Sequence, residues 1–259
     1  MSLPWAVRLA LLPVALFVLL VLYGPLGLTV FFSFFNYRRG EVQWDSFGFG
    51  WYDKLFHNAG IGEALINTFI VGFAAVALSL VLGTLFAFHY QAGRGRARQL
   101  QQLVIFLPFL MPPIITGLSL LIFFRQVGID RSLVTVVIGH TVFVLALVYR
   151  TVLNRLQSLS ASLAEASADL GASRWQTFWW VLLPNLRTAL AAAAVLAFAL
   201  SFDETLITLL VTGPHSTLPI RLWAMMRIGF TPDINALVTL ILAGTTALCL
   251  VVVRFFRTA

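Results

Sequence analysis

The chain has 259 residues, 60% apolar and only 10% charged, with a formal net charge of +7. A water-facing surface draws on roughly 25% charged residues, so a soluble globular domain is excluded. The basic balance then belongs to loops between membrane spans, and no nucleic-acid partner is expected.

In chain order, uncharged runs cover Leu9–Tyr37, Ala64–Gly93, Gln99–Phe124, Ser132–Tyr149, Thr188–Phe202 with a continuation past two acids to Ile220, and Ile234–Val253. A helix crosses the hydrocarbon core with about 20 apolar residues. Each run supplies that, the fourth by borrowing Thr151–Leu153 beyond Arg150. The expectation is an all-α polytopic membrane protein with six transmembrane helices, at roughly 7–35, 64–90, 99–124, 132–153, 187–212 and 234–256, forming one domain over 1–259. A signal peptide has an apolar core of only about 7–15 residues. The first run is longer and ends in FFSFFNY, so it reads as a retained anchor. Cys249 is the single cysteine, which leaves no disulfide, and neither a metal nor another cofactor is expected.

The loop over 38–63 is rich in Gly, Trp and Asp, and its WYDKLF segment suits a short helix on the membrane surface. AGRGRAR, 92–98, reads as a tight basic turn. The third run carries Pro108, Pro112 and Pro113. Proline in a helix removes a hydrogen bond and kinks it, and both a packing kink and a gating hinge fit. Positively charged residues in short loops mark the cytoplasmic side. With both termini, the 91–98 loop and the 154–186 loop inside, that side holds Arg8, Arg94, Arg96, Arg98, Arg150, Arg155, Arg174, Arg187, Arg254 and Arg257. The outer side keeps Arg38, Arg39, Lys54, Arg125, Arg131, Arg221 and Arg227.

Between the fourth and fifth runs stands EASADLGASRWQTFWWVLLP, 165–184, within a loop over 158–184. Ser162-x-x-Glu165 has the form of a capping box that opens a helix. Glu165 and Asp169 fall one turn apart on one face. Gly171 then offers the left-handed residue that ends a helix. Ser173-x-x-Gln176 is a second capping box, followed by an apolar stripe of Trp175, Phe178, Trp179 and Leu182 at i, i+3, i+4 and i+7. Pro184 is expected to stop that helix before the fifth span. Helix, sharp turn, helix is the result. An interfacial helix resting among lipid headgroups would not need the acidic pair or the turn, whereas a protrusion that docks into another protein would.

This stretch resembles the "EAA" loop of the permease subunits of binding-protein-dependent ABC importers, in which E-A-A is followed by three residues, G, nine residues and I-x-L-P. Glu165, Ala166, Ser167, Gly171, Val181, Leu183 and Pro184 match at that spacing, with Ser167 in place of the second alanine and Val181 in place of isoleucine. The resemblance implies a coupling helix that seats in a cytoplasmic ATPase, with Glu165, Ala166, Ser167, Asp169, Gly171, Ala172, Trp175, Phe178 and Pro184 as the coupling residues. It also implies a dimer of ATPase subunits, a second and different permease chain, a substrate-binding protein outside, and a bacterial inner-membrane location. Lys54 is the only lysine and lies in an outer loop, so the G-x-x-x-x-G-K-[ST] phosphate loop is absent. The subunit is therefore expected to be non-catalytic.

In the fifth run, SFDET sets Asp203 and Glu204 in an apolar stretch. Intramembrane charges are costly and mark ion or substrate paths. Asp203 lies 16 residues beyond Arg187, roughly 24 Å along a helix at 1.5 Å per residue, in the outer half. Adjacent helical residues diverge by about 100°, so one acid can face a path while the other pairs with a neighbour, Arg221 or Arg227. A cation path and a structural ion pair both remain open. The segments SFDETLITLLVTGP and TLPIRLWAMMRIGFTPDINAL resemble the last two spans of spermidine/putrescine-type permeases, which implies a polyamine cargo. Permeases for ferric iron, opines, thiamine or phosphonates share much of that scaffold.

Two other classes compete. An intramembrane serine protease would need a G-x-S-x-G-like nucleophile and a later histidine, but Ser119 sits in GLSLL and the last run has no histidine. An ion-coupled secondary transporter expects internal repeats, and none is visible. His57, His89, His140 and His215 read as satisfied polar residues or interface contacts.

Overall fold

Apolar runs separated by short turns fold here into long helices. The structure, a computed structural model, describes residues 5–38, 41–93, 95–160, 162–229 and 231–258. Arg39 and Arg94, counted above for orientation, lie outside the described residues, as do the side chains of Arg8, Arg38, Cys249 and Arg257. Among the described residues, four helical segments are long and apolar enough to cross a bilayer: Leu11–Phe32, Ala59–Ala92, Leu133–Ser158 and Arg174–Asp203. A bent pair, Arg96–Leu110 with Pro113–Gln126, passes the same test only when taken together. The last run forms a helix at Pro232–Thr258.

The chain divides into two compact units, one comprising Met1–Gly62 with Leu222–Ala259 and the other Glu63–Arg221. In the first, α1 (Trp5–Phe32) is followed by β1 (Asn36–Arg38) and β2 (Glu41–Gln43), then α2 (Gly50–Phe56). The strands pair antiparallel, with Asn36 opposite Gln43 and Tyr37 opposite Val42. This hairpin was not expected in an all-helical reading. Aromatic contacts hold it, since Phe35 meets Trp44 at 5.7 Å and Phe34 meets Tyr52 at 5.5 Å between ring centroids. The short helix expected at WYDKLF is present as α2, and α12 (Pro232–Thr258) packs against α1 and α2.

The second unit contains most of α3 (Ala59–Ala92), with α4 (Arg96–Leu110), α5 (Pro113–Gln126), α6 (Leu133–Ser158), α7 (Ser162–Asp169), α8 (Arg174–Gln176), α9 (Leu183–Asp203) and α10 (Leu206–Val211). Helix α11 (Leu218–Ile228) spans the boundary. Helices α6 and α9 share the main core, in which Tyr149, Val152, Leu153, Leu186, Ala193 and Ala197 are fully buried. Alanines on α9 let the two backbones approach, as membrane helix interfaces favour. A smaller core joins Val71, Phe124, Val136, Ile207 and Val211.

The third apolar run is broken, not merely kinked. Helices α4 and α5 meet at 106° across Met111 and Pro112. Pro112 has no N–H to give to Pro108 O four residues back. Thr116 Oγ1 donates to that carbonyl instead, at 3.2 Å. Helix α5 then lies against α10, and Gly117 makes this possible: a Cβ there would stand 3.0 Å from Ile207 Cα.

The fifth span departs from expectation at both ends. Pro184 does not stop the preceding helix, because the helical run is continuous from Arg174 to Asp203. Residues Thr177–Leu182 form a π-helical turn, and Leu183 N–H reaches back five residues to Phe178 O. A proline ring clashes with the carbonyl four residues before it, and the wider π turn opens the backbone where that clash would fall. Pro184 thus follows the π turn directly, in the first turn of α9. The wider turn also changes the angular step, so Leu182 loses the i+7 relation to Trp175. At the other end, the helix expected to reach 212 breaks after Asp203 and restarts at Leu206.

Candidate functional site

Helix α7 ends at Asp169, and the chain reverses at Gly171, whose φ is +81°. Gly171 N–H bonds Ala168 O at 2.8 Å and Ala172 N–H bonds Ser167 O at 3.1 Å. This pair of bonds closes a helix end with a left-handed residue, as the glycine at that position implied. The second capping box forms as expected. Ser173 Oγ accepts from Gln176 N–H at 3.3 Å, and Gln176 Oε1 accepts from Ser173 N–H at 2.8 Å. The first does not form. Ser162 is already the first helical residue, and its N–H bonds Ser160 Oγ at 3.3 Å. Ser160 therefore does the work assigned to Ser162, and Glu165 is left free to face outward.

The two arms form an elbow with an exposed outer surface. Glu165, Ala166 and Asp169 are exposed, and Leu170 at the bend is 90% exposed. Neither Glu165 nor Asp169 has a hydrogen-bond or ion-pair partner among the described residues. Beyond the turn, Trp175, Phe178 and Trp179 cluster with ring centroids 5.3–6.0 Å apart. Phe178 anchors this cluster edge-on against Phe88 of α3 at 5.2 Å, while Trp175 remains 69% exposed. An open hollow of about 530 Å³ runs along the elbow, lined by Ala166, Leu170, Gly171, Ala172, Gln176 and Trp180, among others. Two unpaired carboxylates on one helical face beside an apolar hollow can receive a protein surface that carries basic and apolar side chains. Of the expected coupling residues, Glu165, Ala166, Asp169, Gly171 and Ala172 come together at the bend. Ser167 is buried inside it, and Pro184 stands apart at the root of α9.

The acidic pair separates into two environments. Asp203 is exposed at the end of α9, whereas Glu204 is 8% exposed. Glu204 Oε1 accepts from Ile207 N–H at 2.9 Å, capping α10. Among the described residues of its unit neither acid has an ion-pair partner, so the expected partnership with Arg221 does not form. Within the other unit, Arg227 stacks on Trp223 at 3.9 Å. Behind the break lies a buried polar relay. His140 Nδ1 is 2.7 Å from Ser201 Oγ, His140 Nε2 is 2.7 Å from Thr208 Oγ1, and Thr208 Oγ1 donates to Glu204 O at 2.9 Å. A threonine hydroxyl has one proton, so with that proton on Glu204 O, Nε2 of His140 is the donor to Thr208. Nδ1 is then free to accept from Ser201. His140 is satisfied, as expected, but its tie to the acidic pair was not foreseen. The other histidines also have polar partners: Asp53 for His57, Gln101 for His89, and Glu63 for His215.

A membrane protein of long apolar helices with an exposed bent elbow before its fifth apolar run is the class defined by these observations. Residues 79–259 match the family described as the binding-protein-dependent transport system inner membrane component, and the chain belongs to that family. It is 31% identical over 228 residues to the spermidine/putrescine transport system permease protein PotC of Haemophilus influenzae, covering 88% of each chain. It is 33% identical over 249 residues to the putrescine transport system permease protein PotI of Escherichia coli, covering 93% of this chain and 86% of the relative. Among solved structures, a bacterial ABC transporter involved in the import of the acidic polysaccharide alginate contains a chain that superposes with a TM-score of 0.73 at 19% identity, covering 99% of both chains. That likeness extends the shared fold over the whole length.

Proposed function

We propose that this chain is one permease subunit of an ABC importer for polyamines, spermidine or putrescine, in the bacterial inner membrane. Six spans, with α12 as the sixth, form a single domain over 1–259 and half of the translocation pathway. The termini and the elbow lie in the cytoplasm, where the elbow engages an ATPase dimer. A second, different permease chain completes the path, and a binding protein delivers cargo from outside. The subunit itself does not hydrolyse ATP. Similarity to PotC and PotI over most of the chain supports the cargo, and the unpartnered carboxylates of the elbow carry the coupling role. Asp203, exposed at the C-terminal end of α9, is the acid that faces the path. Glu204 holds the helix break.

The test is reconstitution of the complex in proteoliposomes with binding proteins loaded with different solutes. ATP hydrolysis should rise with spermidine- or putrescine-loaded protein. Asp203→Asn should weaken polyamine uptake while leaving the yield of folded complex intact. Stimulation by a ferric-iron, opine, thiamine or phosphonate binding protein instead would replace the cargo. Failure of any ATPase to co-purify would remove the importer reading.

A further inference from the structure

Ser167 stands in the motif by position, yet its side chain is nearly buried within the elbow. It is 8% exposed, while Ala166 and Ala168 on either side are exposed. Its Oγ lies 2.9 Å from Oγ1 of Thr177, which is also 8% exposed. Thr177 Oγ1 in turn donates to Ser173 O at 3.2 Å. With the single threonine proton committed there, Ser167 is the donor to Thr177. The relay starts on α7, crosses the Gly171 turn and ends on the cap of the following helix.

Other bonds at the elbow stay local. Gly171 and Ala172 N–H groups return to α7, and the capping box ties Ser173 to Gln176. Among the described residues, the Ser167–Thr177 bond is the one hydrogen bond between α7 and residues 173–182. Gly171 carries no side chain to brace the turn, and a Cβ there would meet no atom within 4 Å. A load placed on α7 would therefore be absorbed at the glycine unless something fixed the angle. We propose that the Ser167–Thr177 pair is that positioning element, holding the elbow rigid so that displacement of the acidic helix reaches α9. The serine that replaces the motif's second alanine thus has a partner, and the two belong together. This rests on the coupling reading above.

Buried hydroxyl pairs give a way to separate coupling from stability. Removing one partner leaves the other unsatisfied and destabilises, whereas replacing both by apolar groups is nearly neutral. The complex of this chain with its partner permease and ATPase, in proteoliposomes with spermidine-loaded binding protein, is assayed for uptake per ATP hydrolysed. Ser167→Ala, Thr177→Val and the double variant should each lower that ratio about fivefold, the factor expected for one net hydrogen bond. Thr177→Ser should keep the parental ratio. The double variant should melt near the parent and still be uncoupled, an outcome that a purely structural role does not produce. A double variant with parental coupling overturns the proposal, as does a Thr177→Ser variant as damaged as Thr177→Val. The variant Glu165→Ala/Asp169→Ala separates the levels. If it uncouples while Ser167→Ala/Thr177→Val does not, the positioning role alone fails. If it leaves uptake per ATP unchanged, the coupling reading fails, and the positioning role with it.

Discussion

Gly171→Ala isolates backbone geometry from packing at the elbow. The φ of Gly171 is +81°, a conformation that costs an L-residue roughly 1–2 kcal/mol. A Cβ placed there meets nothing within 4 Å, so no steric term adds to that figure. The substitution should leave the membrane core untouched and shift the bent form against straighter alternatives by about 5- to 30-fold. Gly117→Ala is the contrasting case, because its Cβ would lie 3.0 Å from both Ile207 Cα and Leu210 Cδ1. Overpacking of that kind costs about 1–3 kcal/mol and should reduce folded yield. The assay pairs size-exclusion yield in detergent with uptake per ATP in proteoliposomes. Gly171→Ala should give normal yield with poor coupling. Gly171→Asn should fall between it and the parent, since asparagine tolerates the left-handed region. A well-coupled Gly171→Ala would refute the reasoning, as would a Gly171→Ala chain that fails to fold.

Two further outcomes concern the break in the fifth span. His140→Ala should lower the thermal midpoint of the purified protein, because it opens a cavity, strands the buried Ser201 hydroxyl and removes the donor to buried Thr208. The combined cost is about 2–4 kcal/mol, and an unchanged midpoint would show that the relay contributes nothing. Glu204→Ala should destabilise by about 1–3 kcal/mol through the orphaned Ile207 N–H. Glu204→Gln, whose amide oxygen can still accept that bond, should melt near the parent, and equal losses in the two variants would contradict the capping role.

The parts of this molecule legible in sequence are those governed by local chemistry. Gly171 announces its turn because few other residues tolerate that φ, and Ser173 with Gln176 announces a cap because both partners lie within one turn. Apolar runs mark the helices because a bilayer demands a minimum length. What could not be read depends on partners distant in sequence or on small shifts of hydrogen-bond register. Pro184 looks like a stop by every local rule, but the π turn before it absorbs the clash, and no residue in TFWWVL signals a π turn over an α turn. The break after Asp203 carries neither Gly nor Pro. It is held by Glu204 folding back on Ile207 and by His140, more than sixty residues earlier on another helix. Single-sequence periodicity has no access to such a bond. Read alone, the acidic pair in SFDET suggested one charge on a path and one in an ion pair. The structure replaces the ion pair with backbone amides, the means by which an intramembrane carboxylate is satisfied without a cation. The same economy explains Thr116 at Pro108 O. In each case a break in a membrane helix survives because a side chain one or two turns away takes up the backbone group that the break set free.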